Sequence, residues 1–175
     1  MFWRHGYNRT TTRLLEDRLD LNQSSIYNAF GSKRALLDAA LDRYEERMAH
    51  EVFQPAALAG ERAVEVLGML LWRWVSDEAH RGCALLNLDA ELRTDDAFRC
   101  RVEAHRRAFR DAVAGAVAAG GTPGAPVDDV VQLVVAALTG LMVSAVVDEP
   151  EAGAVMATAL SRGWPRVIAP TPTLG

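Results

Sequence analysis

Two cysteines, Cys83 and Cys100, are all that this 175-residue chain contains, too few for a disulfide framework. A secretory leader is not expected either, since Met1 to Thr12 is polar and aromatic rather than an apolar run behind a basic start. A cytoplasmic location is therefore expected, where both thiols stay reduced. Apolar and polar residues nowhere alternate with a period of two, which excludes a sheet and leaves an all-α chain. Paired carboxylates, a nucleophile with its base and a phosphate loop are all missing, so neither an enzyme nor a cofactor is expected. The one long apolar run, Val130 to Val147, is broken by Gln132, Thr139 and Ser144 and flanked by Asp128, Asp129, Asp148 and Glu149. With no aromatic belt, it reads as a buried helix and not as a membrane span. There are no internal repeats.

Lysine is nearly absent too, Lys33 being the only one. The net charge of −4 is unevenly spread. Residues 1–34 hold Arg4, Arg9, Arg13, Arg18, Lys33 and Arg34 against Glu16, Asp17 and Asp20, a net +3, which leaves −7 for the rest. A basic head on an acidic body confines phosphate attraction to one end.

That head carries the most specific pattern. Leu14, Leu15 and Leu19 make one face of a helix that can start at the threonine run Thr10 to Thr12, and Asp20, Leu21 and Asn22 break it. A second short helix, Gln23 to Phe30, turns roughly 100° per residue. Ile26 and Phe30 then face the core, while Ser24, Ser25 and Asn28 face the other way. Two helices joined by a tight turn, the second with a polar outer face, form a helix-turn-helix, whose second helix enters the DNA major groove.

The stretch Gly6 to Leu37 resembles the DNA-binding module of the TetR family of bacterial transcription regulators, through Gly6-Tyr7, Thr10-Thr11, Leu15, Leu21, Ile26-Tyr27, Phe30, Ser32-Lys33 and Leu36. Asp20 stands where that family usually has a turn glycine, and Leu14 where it has an acid. The family also places a whole amphipathic helix before Gly-Tyr, and here only Met1 to His5 precede it, so an N-terminally shortened regulator with a mobile head is expected. The resemblance implies DNA contacts by Thr10, Thr11, Gln23, Ser24, Ser25, Tyr27, Asn28 and Lys33, with Tyr27, Thr11 and Lys33 on phosphates and Ser24, Ser25 and Asn28 at base edges.

The remainder reads as helix. Ser32 caps a helix to about Phe53, with Leu37, Leu41, Tyr44, Met48 and Val52 on one stripe, ending near Gln54-Pro55. Further helices are expected at Glu61 to Ala79, Cys83 to Leu92, Asp95 to Ala119, Asp128 to Val147 and Glu151 to Ile168. The division is a DNA-binding domain at 1–44 and a helical ligand-binding and dimerisation domain at 45–175, the latter resembling the family loosely through Arg81 to Asn87. The family implies a ligand pocket in this body and a four-helix bundle between the last two helices of two subunits. Ala136, Gly140 and Ser144, at i, i+4 and i+8, form a small-residue stripe along which a second helix can approach closely.

Met69, Trp72, Cys83, His105 and Phe109 are the candidate ligand-binding residues, each weighed against an ordinary core role. Cys83 begins a helix beside His80 and Arg81, which favours thiolate, while burial would make it an inert small hydrophobe. Cys100 and His105 lie about 140° apart around a helix, so no metal site is expected. The expected function is a homodimeric TetR-type regulator, a repressor by default, that binds a palindromic double-stranded operator and is released by a small molecule. The alternatives are an electrophile or redox sensor acting through Cys83, and a helical ligand-binding protein whose shortened head no longer reads DNA.

Overall fold

The computed structural model describes residues 1–76, 82–121 and 126–146, with Glu151 and Thr158. Among these, every regular element is helical. The expected last helix, and His80 and Arg81 beside Cys83, lie outside the described residues.

Three side-chain caps begin the helices that follow α1 (Phe2–His5). Thr11 Oγ1 accepts from the Leu14 N–H at 3.2 Å, Asn22 Oδ1 from the Ser25 N–H at 2.8 Å, and Ser32 Oγ from the Ala35 N–H at 3.0 Å. They open α2 (Thr12–Leu19), α3 (Gln23–Phe30) and α4 (Lys33–Met48), each satisfying a donor that helix geometry leaves without a partner. Asp20 closes α2 in the left-handed conformation, φ 53° and ψ 40°, at a cost of about 1 kcal/mol that glycine would not incur. Leu15 and Ile26 are buried between α2 and α3, outside the main core cluster. Leu19 and Phe30, expected beside them, are instead 43% and 40% exposed. Each is the last residue of an eight-residue helix, and that end is left uncovered.

From α4 onward one continuous core takes over. Leu37, Leu41, Tyr44 and Met48 are buried along α4 as the periodicity required. The helix does not end at Pro55. Ala49–Phe53 widens into a π turn, with the Gln54 N–H bonded to the Ala49 carbonyl, and α5 (Gln54–Ala57) carries on through the proline. Proline has no N–H to donate, and the wide turn just before it accommodates the missing bond. A 3₁₀ turn at Gly60–Arg62 leads into α6 (Ala63–Val75), followed by α7 (Ala84–Leu92), α8 (Asp96–Gly120) and α9 (Val127–Val146). In α6 the spacing of Val64, Leu67, Leu71 and Val75 keeps one face apolar, and that face is buried where the helix meets α8 and α9.

Around α9 three faces are distinct. Val130, Val134, Leu138 and Leu141 enter the core, Leu133, Ala136 and Val143 are exposed, and Val135, Thr139 and Met142 line a cavity. One face of α9 thus packs against α6 and α8, as expected for a core helix. Fully burying one aliphatic side chain is worth roughly 1.5–3 kcal/mol. The body repeats that gain along α4 and from α6 to α9, whereas the head rests on Leu15 and Ile26.

Candidate nucleic-acid interface and ligand cavity

The outer face of α3 is polar and open. Gln23, Ser24, Ser25 and Asn28 are exposed, the last three on the side away from buried Ile26. The start of α3 is tied to α2 by the Gln23 N–H, which donates to Glu16 Oε1 at 2.7 Å. Tyr27 Oη lies 3.1 Å from Thr12 Oγ1, a second tie between the two helices. Lys33 Nζ sits 4.4 Å from the centre of the Tyr7 ring, at the start of α4. Thr11 is exposed, with its hydroxyl oxygen engaged as the α2 cap. Thr10 departs from expectation. It is fully buried and its hydroxyl donates to the Gly6 carbonyl at 2.6 Å, so it braces the turn and offers no exposed surface to DNA.

Besides α1, whose Phe2 is buried in the main core, the head is fastened to the body at two places among the described residues. Gly6 has φ 79°, and a side chain there would meet the Glu91 carboxylate of α7, which accepts from the Asn8 N–H at 2.6 Å. The second fastening is a charged seam between α4 and α8. Arg34 pairs with Asp38 at 3.1 Å and with Asp95, the cap of α8. Arg101 of α8 pairs with Asp42 and, at 2.8 Å, with Glu45. Ion pairs that keep a fifth to two-thirds of their side-chain surface in water add modestly to stability, so the seam sets geometry more than it holds the fold together.

His105 ends this seam and begins the cavity. Its Nδ1 lies 3.5 Å from Glu45 Oε1, and its Nε2 lies 3.9 Å from the sulfur of Cys83, which also receives the Tyr44 hydroxyl at 3.7 Å. Burial disfavours charge on His105, but the bonds to Cys83 and Glu45 outweigh it and hold the imidazole at about 9. Burial likewise pushes the Cys83 thiol up, and the facing imidazolium more than reverses this, so the thiol lies below its ordinary value. Burial also pushes Glu45 up, and hydrogen bonds from His105 and Arg101 overcome it, so the carboxylate is lowered.

Cys83 and His105 line a cavity of about 470 Å³ between α7, α8 and α9. Leu85, Val102, Phe109, Val135 and Met142 supply its apolar wall, and Arg106, Arg107 and Arg110 stand along it on α8.

Residues 1–40 match the family model described as bacterial regulatory proteins, tetR family. Residues 58–166 match the tetracyclin repressor-like C-terminal domain. This chain belongs to the TetR family. A TetR-family transcriptional regulator from Streptomyces coelicolor superposes with a TM-score of 0.83 at 20% identity, covering 97% of this chain and 90% of that one. The TetR-family regulator CifR, a cysteine mutant complexed with 26-bp double-stranded operator DNA, superposes with a TM-score of 0.67 at 26% identity, covering 94% and 91%. The HTH-type transcriptional repressor AcnR of Corynebacterium diphtheriae is 34% identical over 113 residues, which is 64% of this chain. That match spans 55% of AcnR's own length.

Within this TetR body, three of the five expected ligand residues meet: Cys83, His105 and Phe109. Met69 and Trp72 do not line the cavity. Met69 is 52% exposed, because two residues along a helix turn it about 200° from buried Leu67. Trp72 lies three residues on from Met69 and is half-buried on that side. Sequence reasoning missed Glu45 and the three arginines, since isolated charges on a helix read as solvated.

Proposed function

We propose that this chain is a ligand-responsive TetR-type transcriptional repressor, acting in the cytoplasm as a homodimer on a palindromic operator. The observation that carries the reading is the exposed row Ser24, Ser25 and Asn28 on α3, opposite buried Ile26. The operator complex of CifR and the repressor description of AcnR support it. Two such helices reach successive major grooves when about 34–36 Å apart, so anything that alters head separation changes operator affinity. The seam gives a route, because α8 lines the cavity with Val102 and Phe109 while Arg101 and His105 of the same helix hold α4.

Salt-dependent binding to DNA from the gene's own neighbourhood tests the reading. Asn28→Ala should change sequence preference, whereas Lys33→Ala should weaken binding to all sequences and reduce the salt slope by about 1. A Lys33→Ala protein with altered preference and an unchanged slope would reverse these roles. Absence of any salt-dependent binding would leave a helical ligand-binding protein.

For the dimer, exposed Ala136 and half-buried Gly140 and Ser144 share a face of α9 with exposed Leu133 and Val143. Gly140→Leu should force the paired helices apart and give monomers or aggregates in sedimentation. A stable dimer with intact operator affinity would move the contact elsewhere.

A second reading, electrophile sensing, is favoured by the Cys83–His105–Glu45 array. The Cys83 thiolate would add to the β-carbon of a conjugated carbonyl compound, and the His105 imidazolium would return a proton to the α-carbon.

A further inference from the structure

Several arginines of this chain, Arg34, Arg43, Arg47, Arg62 and Arg93 among them, have carboxylate partners close by. On α8 itself Arg99 pairs with Asp96 at 2.9 Å, and Arg101 with Asp42 and Glu45. The next three arginines of the helix, Arg106, Arg107 and Arg110, make no ion pair among the described residues, although all three line the cavity. Their cavity neighbours from α7 and α9 are Leu85, Leu86, Gln132, Val135, Thr139 and Met142, none of them acidic. Three guanidiniums therefore border an apolar cleft with no carboxylate among its lining residues to balance them. Guanidinium groups bind carboxylate and phosphate in a planar, two-pronged geometry, and a cavity of this size is within the range of small-molecule sites.

We propose that the cavity between α7, α8 and α9 takes an amphipathic anion, its apolar body against Val102, Phe109 and Met142 and its carboxylate or phosphate on Arg106, Arg107 and Arg110. This rests on the reading of the body as ligand-responsive and names the chemical class of the ligand. Neutral hydrophobes of the same shape bind more weakly, because they leave the arginines without a partner. Cations are repelled.

Titration calorimetry of the full chain with octanoate, octyl phosphate and octanol tests the site without DNA. At least one anion should bind saturably and at least about tenfold more tightly than octanol, a difference of about 1.4 kcal/mol. The tighter of the two anions identifies the head group. Arg106→Gln with Arg110→Gln should remove that preference while leaving octanol binding and the helical melting transition unchanged. Octanol binding as tightly as both anions would overturn the proposal, as would anion affinity unaltered in the double variant. So would a cavity that binds none of the three while the double variant dissociates in sedimentation, because a second copy of the chain would then occupy it. Operator affinity measured with the bound anion separates the two levels: an anion held by Arg106 and Arg110 that leaves operator affinity unchanged supports the site and overturns the ligand-responsive reading.

Discussion

Ile26→Ala should cost the head about 2–5 kcal/mol and abolish operator binding while leaving the body folded. Ile26 is 1% exposed and shares the head's small core with Leu15, whereas Leu19 and Phe30 are too exposed to compensate. Two eight-residue helices lie below the length at which isolated helices persist in water, so their order depends on this contact. Hydrogen exchange should show Thr12 to Phe30 losing protection and Leu138 to Met142 keeping it. Retained head protection with full operator affinity would mean that the head is stabilised by something other than the Leu15 and Ile26 pair.

His105→Asn should slow alkylation of Cys83 at pH 7 by at least about tenfold, because an ordinary thiol is only a few per cent thiolate there. In the native chain the facing imidazolium keeps the thiol below its ordinary value, so the rate should level off at a lower pH than in the variant. In the variant it should climb with pH toward the ordinary cysteine range. Equal rates at pH 7 would remove His105 as the controlling group. The raised His105 value carries a stability consequence of definite sign. Its contribution is complete below the unfolded value of 6.5 and is lost as pH rises through about 9, so alkaline destabilisation should be smaller in His105→Asn.

Local chemistry was the legible part of this chain. Thr11, Asn22 and Ser32 begin their helices because a cap bonds to an amide three residues on, a relation contained in the sequence window itself. The buried stripe of α4 was legible for the same reason. Pro55 misled because a proline usually ends a helix, and nothing in Ala49 to Phe53 announces the wider turn that lets the helix pass it. The site was legible only by halves. His105 and Phe109 lie on a helix face that periodicity could assign and Cys83 at a helix start, but Glu45 joins His105 from another helix, a pairing set by how α8 lies on α4.

The π turn at Ala49–Phe53 has a geometric effect on the whole connector. Leu37, Leu41, Tyr44, Met48, Val52 and Ala56 are buried along one line, largely in steps of four. Each such step overshoots a full turn by about 40°, so a regular helix would carry that line progressively round toward solvent. One turn holding an extra residue subtracts the accumulated angle and brings Val52 and Ala56 back into phase with Met48. The connector is in effect two rigid shafts with a phase correction between them. The phase of the connector's buried line is therefore set by the hydrogen-bond count of a single turn, and not by the length or composition of a loop.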